Sequence, residues 1–241
     1  MSGNNYAIIT AGGRGTRMPG LRKKQFLRLG GLPIFLWPVL RFLQHPRVGR
    51  VIVVLPKDDY GLGRDILEEE MHNPAWADRL WFTFGGPTRQ DSVYNGLCMC
   101  PADAQMVLVQ DGVRPFVGDD DISRLLDVAT REGAAIPVHP IKHTVKRVQG
   151  ERILQTLLRD DLVEVSTPQV FRYALLKECH ERMRAAGQSR TDDAALVEEA
   201  GHPVAAVSVS FPNIKITDSL DLLVAEHLLR TGEEASWKRS L

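Results

Sequence analysis

Four short clusters in this sequence carry residue types suited to handling a phosphorylated ligand. The first is Thr10-Ala-Gly-Gly-Arg-Gly-Thr-Arg-Met18, directly after the strand-like run Tyr6–Thr10. Glycines at the carboxyl end of a strand let backbone N–H groups approach a phosphate, and open sheets bind ligands at that edge. A dinucleotide site would need a small residue at position 18, where Met stands, and an acidic residue about 20 positions on, which is missing. The P-loop spacing of glycines before Lys-Ser/Thr is also absent. A glycine turn remains, followed by Arg17 and then Lys24-Gln25. That set suits a triphosphate. Attack at an α-phosphate builds negative charge on its oxygens, so catalysis there is mostly positioning by cations. Arginine offers a planar fork and lysine a point charge, and the two are complementary on phosphate.

The second cluster is Val107-Leu-Val-Gln-Asp-Gly-Val-Arg-Pro115. A buried strand there delivers Asp111 and Arg114 to one edge, where Asp111 can bind Mg²⁺ or a ribose hydroxyl, or simply pair with Arg114. The third is Gly85-Gly-Pro-Thr-Arg-Gln-Asp-Ser-Val93, a turn into a helix from which Ser92 can reach a base edge. Thr88 in the same turn also reads as a plain helix N-cap. In the fourth, Pro212-Asn-Ile-Lys-Ile-Thr217, Lys215 alternates outward between two isoleucines, a pattern that alone describes a solvated lysine.

Apolar runs at Tyr6–Thr10, Val51–Leu55, Met106–Gln110 and Ala134–Val138 read as buried strands. Helical patterns at Phe35–Leu43, Ser92–Leu97 and Ile122–Thr130 lie between or after them. This alternation predicts an α/β fold with a mostly parallel twisted sheet and helices on both faces. Asp119-Asp-Asp marks one helix start and Gly133 its end, while Thr191-Asp-Asp caps a helix over Ala194–Ala200. Thr144–Val148 and Ile153–Leu157, joined by Gln149-Gly-Glu-Arg152, break the alternation and read as an inserted hairpin. A lone hairpin is marginal in water, so it must pack on something, its own sheet or a second subunit.

With 44% hydrophobic and 25% charged residues, the composition is that of a globular protein, and no run of about 20 apolar residues could span a bilayer. The start of the chain lacks the basic and apolar regions of a signal peptide, which leads us to expect a cytoplasmic protein. Cys98, Cys100 and Cys179 lack the partners for a zinc site or a disulfide framework and read as packing residues. Ten basic residues and no acidic one precede Asp58. Such a segment fits a polyanionic ligand or a solvated basic face. The rest of the chain is net acidic and would repel long nucleic acid, so no nucleic-acid partner is expected.

Taken together, these residues resemble the 2-C-methyl-D-erythritol 4-phosphate cytidylyltransferase family from Tyr6 to about Leu229. The likeness rests on Ala11–Met18 with Lys24-Gln25, Gly85-Gly86 with Arg89 and Ser92-Val93, and Asp111-x-x-Arg-Pro115. It continues through Thr144-Val-Lys146, Thr167-Pro-Gln169, Thr191-Asp-Asp-Ala194 and Asn213-Ile-Lys-Ile-Thr217. The resemblance implies a single Rossmann-like nucleotidyltransferase domain over 1–241, with a dimerising hairpin arm over 142–167. It implies that CMP passes from CTP to a small polyol phosphate, with Mg²⁺ or another divalent cation neutralising the triphosphate. Arg17, Lys24 and Lys215 would hold that triphosphate. The backbone at Ala11, Gly12, Gly13, Gly15 and Gly86, with the Ser92 hydroxyl, would take the nucleotide and select cytosine. Asp111 would lie near the ribose, the metal or the acceptor. Arg114, Thr144, Arg159 and Thr167 would meet the acceptor across a homodimer interface.

The sequence departs from the family pattern at Lys23, Pro87, Gln110, His143 and Pro212, of which His143 adjoins the acceptor-binding Thr144. A ribitol 5-phosphate cytidylyltransferase shares the loop, the Asp-x-x-Arg-Pro stretch and Thr-Pro-Gln. Arg159 and Thr144-Val-Lys146 favour the methylerythritol acceptor. Loss of Lys24, Asp111 or Lys215 would have supported a non-catalytic nucleotide-binding protein on the same fold, and all three are present. A site that hydrogen-bonds a base edge rejects analogues that leave its polar groups unpaired. Pyrophosphate release should therefore be far faster with CTP than with UTP, ATP or GTP, and equal use of all four would refute cytosine recognition.

Overall fold

The computed structural model describes residues 4–11, 24–71, 73–209 and 213–231. The strands are β1 (Asn5–Thr10), β2 (Arg28–Leu29), β3 (Leu32–Pro33), β4 (Arg50–Leu55), β5 (Leu80–Phe84) and β6 (Met106–Asp111). They continue with β7 (Ala134–Pro140), β8 (Lys146–Gln149), β9 (Arg152–Thr156), β10 (Val163–Val165), β11 (Gln169–Arg172) and β12 (Ala205–Ser208). The α-helices are α1 (Leu36–Gln44), α2 (Tyr60–Glu70), α3 (Arg89–Met99), α4 (Asp119–Glu132), α5 (Tyr173–Ala185), α6 (Asp193–Glu199) and α7 (Ser219–Thr231).

The main sheet runs β10-β7-β11-β6-β1-β4-β5, with β12 also paired to β7. Strands β6, β1, β4 and β5 are mutually parallel, as are β7 and β12. Alternation decides which face each side chain serves. Ala7 and Ile9 of β1 point to the layer holding α1 and α4, whereas Tyr6 and Ile8 point to α3, α5 and α6. Strands covered on both faces carry no polar alternation, which is why β6 is buried at all six positions.

The helix starts follow the local signals. Thr88 caps α3 in a capping box with Asp91. Gly133 closes α4 at a φ of 92°, a left-handed conformation that favours glycine. Asp192 caps α6, its carboxylate accepting from the Ala195 N–H, so that helix begins one residue before the expected position.

The sheet departs from the simple alternation in one region. Strands β10 and β11 are antiparallel to β7, and β11 also runs antiparallel to β6. The β11 run, Gln169-Val-Phe-Arg, has one polar residue at each end and only two apolar residues between them, too little for a pattern to flag it. Strands β8 and β9 form their own two-stranded sheet, and every residue of both is exposed. The hairpin therefore does not lie back on the main sheet.

Helix α3 approaches β1 closely because Gly96 faces Ile8. A Cβ at Gly96 would lie 2.6 Å from Ile8 Cγ2, and Ile8 is fully buried with no room to yield. Overfilling a packed interior typically costs about 1–3 kcal/mol, and valine regains little helix propensity over glycine. Denaturant unfolding of Gly96→Val should show a loss in that range, whereas an unchanged midpoint would mean that α3 can ride away from the sheet.

Candidate active site

Parallel strands deliver their carboxyl ends to one edge, and the site is built there. Strand β1 ends in Thr10 and Ala11, β4 is followed by Pro56, Lys57 and Asp58, β5 by Gly85 and Gly86, and β6 ends in Asp111. These residues, with Lys24, Thr88, Arg89, Ser92 and Lys215, line a cavity of about 740 Å³. Lys24 opens a short 3-10 helix, Lys24–Phe26, whose Gln25 and Phe26 are buried. The Gly85 N–H donates to the Leu55 carbonyl at 2.7 Å, which ties the glycine turn to the end of β4. Gly86 must be glycine, because a Cβ there would meet the Asp91 Cβ at 2.2 Å.

Lys215 arrives from far along the chain. The Asn213 side chain accepts from the Phe116 N–H at 2.9 Å and donates to the Thr167 carbonyl at 3.0 Å. The Ile216 N–H donates to the Val113 carbonyl at 2.9 Å, and Arg114 Nη1 donates to the Asn213 carbonyl at 2.7 Å. This clamp brings Lys215 Nζ to 2.9 Å from Asp111 Oδ2. The alternation of Asn213–Thr217, which alone describes a solvated lysine, thus conceals a side chain directed into the cavity.

Asp111 is the electrostatic centre. Its Oδ1 lies 3.3 Å from Arg89 Nε, and its Oδ2 is shared by Lys215 and, at 3.4 Å, by Arg114 Nε. Burial pushes the carboxyl up, but Arg89, Lys215 and Arg114 pull it down further, and the net position is well below the usual carboxylate range. The Thr167 hydroxyl accepts from the Asp111 N–H at 3.1 Å. Arg89 also reaches Asp193 Oδ2 at 2.6 Å, and Asp193 Oδ1 lies 3.1 Å from His180 Nε2. Burial lowers Arg89, but the two carboxylates more than offset it and hold its pKa above the ordinary arginine value.

The residues expected from sequence fall into four groups. Ala11, Lys24, Gly86, Ser92, Asp111 and Lys215 meet at the cavity. Arg114 and Thr167 lie behind it, bonded to Asp111. Thr144 and Arg159 are exposed beside the hairpin and do not line the cavity, and Arg159 Nη1 donates to the Lys142 carbonyl at 3.4 Å. Gly12, Gly13, Gly15 and Arg17, with the departures Lys23 and Pro212, lie outside the described residues. The Ser92 hydroxyl accepts from the Gly86 N–H at 3.1 Å and donates to the Thr88 carbonyl at 2.9 Å, so it braces the glycine turn. The Ala11 N–H is likewise taken, by the Val54 carbonyl at 2.9 Å.

The basic N-terminal segment is divided by folding. Arg28, Arg41 and Arg47 pair with Glu70, Asp119 and Asp127, so their charge serves the scaffold. Lys24 and Lys57 line the cavity. Sequence reasoning missed the bridging role of Arg89 and the part of Asp193 beyond its helix start. The two are 104 positions apart, and nothing local connects them.

Among the described residues no group of three or more His, Cys, Asp or Glu could hold a metal ion. The cavity offers two carboxylates, Asp58 and Asp111, and Asp111 already faces three cations. That donor set fits Mg²⁺ carried in on substrate phosphates, as this ion commonly binds, and does not make a protein cage.

The depressed carboxyls have a consequence in acid. Asp193, like Asp111, is held below the ordinary range, since Arg89 and His180 outweigh its burial. The stability contributed by both is fully present above the unfolded value of about 3.9 and is lost as pH falls through the folded values. Thermal midpoints followed down through the acid range should fall less steeply in Asp193→Asn than in the unsubstituted protein. Parallel curves would mean that Asp193 is not ionised in the fold.

Comparison with known proteins bears on what this cavity serves. A family model described as 2-C-methyl-D-erythritol 4-phosphate cytidylyltransferase matches residues 6–231. The chain is 39% identical over 226 residues to the enzyme of that name from Geobacillus thermodenitrificans, covering 94% of this chain and 97% of the relative. It is 40% identical over 230 residues to the one from Desulforamulus reducens, covering 95% and 97%. Among solved structures, the 4-diphosphocytidyl-2C-methyl-D-erythritol synthase of Anaerococcus prevotii superposes with a TM-score of 0.81 at 28% identity, covering 95% of this chain and 97% of that one. The 2-C-methyl-D-erythritol 4-phosphate cytidylyltransferase of Thermus thermophilus gives 0.74 at 34% identity, covering 93% and 98%. With the family model spanning residues 6–231 and relatives of about 40% identity along nearly the whole length, the chain belongs to the 2-C-methyl-D-erythritol 4-phosphate cytidylyltransferase family.

Proposed function

We propose that this protein transfers CMP from CTP to 2-C-methyl-D-erythritol 4-phosphate, a step in making isoprenoid precursors. The observation that carries this reading is the meeting of Lys24 and Lys215, from segments far apart in the chain, at one cavity beside Asp111. A phosphate oxygen of the acceptor attacks the α-phosphorus of CTP in line. The new P–O bond forms as the bond to the α,β-bridging oxygen breaks, and pyrophosphate leaves. A phosphate dianion is already nucleophilic at neutral pH, so the chain needs no general base. Its task is to hold both phosphates and to offset the charge that develops. Lys24, Lys215 and Arg17 serve the triphosphate. A divalent cation such as Mg²⁺, carried on the triphosphate and faced by the cavity carboxylates Asp58 and Asp111, would offset part of that charge.

Base choice falls to the turn at Gly85–Thr88 and to the backbone at Ala11, where the glycine-rich stretch begins. With the Ala11 and Gly86 N–H groups already bonded internally, backbone carbonyls there are suited to accept from the exocyclic amino group of cytosine. Uracil presents an oxygen at the same place and would meet like with like.

We also propose that the hairpin of β8 and β9, within residues 142–167, forms an arm through which two copies pair, while β10 at the end of that span belongs to the main sheet. The hairpin is too small to stand alone, and it carries exposed Val148, Ile153 and Leu154. Thr144 and Arg159, which do not line their own cavity, would then reach the acceptor at the partner's.

Incubation with Mg²⁺, CTP and either 2-C-methyl-D-erythritol 4-phosphate or ribitol 5-phosphate, followed by pyrophosphate release, tests the acceptor. Turnover only with ribitol 5-phosphate would overturn it. Lys24→Ala and Lys215→Ala should each lower kcat by at least about 100-fold, the scale for one preorganised contact to the transition state. Near-normal turnover in either variant would return that lysine to a solvated role.

A mixing experiment tests the arm. Lys24→Ala and Arg159→Ala, each nearly inactive, are unfolded together and refolded. If each site draws on both chains, random pairing makes about half the dimers mixed, each with one intact site, and about a quarter of the activity returns. No recovery would mean that each site is built within one chain.

A further inference from the structure

We propose that Asp193, at the first turn of α6, is a positioning residue for this site: it fixes the Arg89 guanidinium, which in turn holds Asp111 so that Lys215 stays available to the nucleotide. The inference rests on the functional reading above and extends it to a residue that does not line the cavity.

Asp193 is buried to 1% exposure, and each of its oxygens has one partner, Arg89 Nη1 at 2.6 Å and His180 Nε2 at 3.1 Å. Its backbone is pinned as well. The Gln169 side-chain oxygen accepts from the N–H groups of Asp193 and Ala194, each at 3.1 Å. Gln169 Nε2 donates to Asp192 at 2.7 Å, so β11 fixes the start of α6. A carboxylate this buried cannot stay ionised without a cation, and Arg89 is the cation in contact with it.

The arginine fork makes the link directional. Nη1 serves Asp193 while Nε serves Asp111 Oδ1 at 3.3 Å, so one planar group spans two carboxylates. A lysine ammonium could not hold both in this geometry. The other oxygen of Asp111 is shared by Lys215 and Arg114. Without Asp193, the partly exposed Arg89 would be free to turn outward, leaving Oδ1 bare. The uncompensated charge of Asp111 would then bear on Lys215 and draw it away from the triphosphate. Removing Asp193 therefore weakens the transition state through Arg89, Asp111 and Lys215 in sequence, with no contact of its own to the substrate.

A double-mutant cycle tests this. Single-turnover rates are measured at saturating CTP and acceptor for the unsubstituted enzyme, Asp193→Asn, Asp111→Asn and the double variant, with thermal unfolding to confirm folding. Asp193→Asn should lower the rate about tenfold while the KM for CTP changes by less than about threefold. In the Asp111→Asn background it should cost almost nothing further, because the group it acts through is already gone. A purely structural role would multiply the two losses, and that result overturns the proposal, as does a near-normal rate in Asp193→Asn. If Asp193→Asn does not fold, Arg89→Lys takes its place in the cycle with the same expectations, since it keeps the charge and loses the fork. An inactive unsubstituted enzyme would instead sink the functional reading, and this inference with it.

Discussion

A carboxylate sealed inside a protein stays ionised only where cations surround it, and Asp111 has three. Arg89 comes from α3, Arg114 from the loop after β6, and Lys215 from the segment before α7. None of these elements is adjacent to another in sequence, yet each must be held within hydrogen-bonding reach of one group. The clamp of Asn213 onto Phe116 and Thr167 and the cap of α3 at Thr88 are the means by which the chain meets that requirement. The site is thus arranged around a fixed negative charge, and the surplus of positive charge around it is what a polyphosphate would meet.

The sheet supplies the common edge. Because β6, β1, β4 and β5 run parallel, their carboxyl ends open on one side, and the connecting loops can contribute cations without crossing the core. The antiparallel β11 next to β6 serves a different purpose. It carries Gln169, whose amide ties the start of α6, and Thr167, just before it, receives the Asp111 N–H. The departure from parallel order lies where second-layer support for Asp111 is assembled.

The division of the N-terminal cations shows how tertiary structure sorts a charge pattern. A run of ten basic residues with no acid between them would repel itself if all remained unpaired. Folding pairs Arg28, Arg41 and Arg47 with acids from α2 and α4, while Lys24 and Lys57 line the cavity. The exposed hairpin is sorted in the opposite sense, with apolar side chains left outward and no cover from the main sheet.

Local patterns determined much of this protein. The buried strands β1, β4, β6 and β7, the caps of α3 and α4, the inserted hairpin and the Gly85-Gly86 turn into α3 all follow from hydrophobic period and turn chemistry within a few residues. Asp111 was legible because it stands at the end of a recognisable strand, and Lys24 because it follows the glycine-rich stretch and Arg17. Strands β10, β11 and β12 were not, because three or four residues carry too little periodicity to separate a strand from a loop. The direction of Lys215 and the Arg89–Asp193 bridge were decided only in three dimensions. Each joins groups whose attraction depends on distance and burial, and a chain written in one dimension fixes neither until the sheet and its helices bring residues about a hundred positions apart into contact.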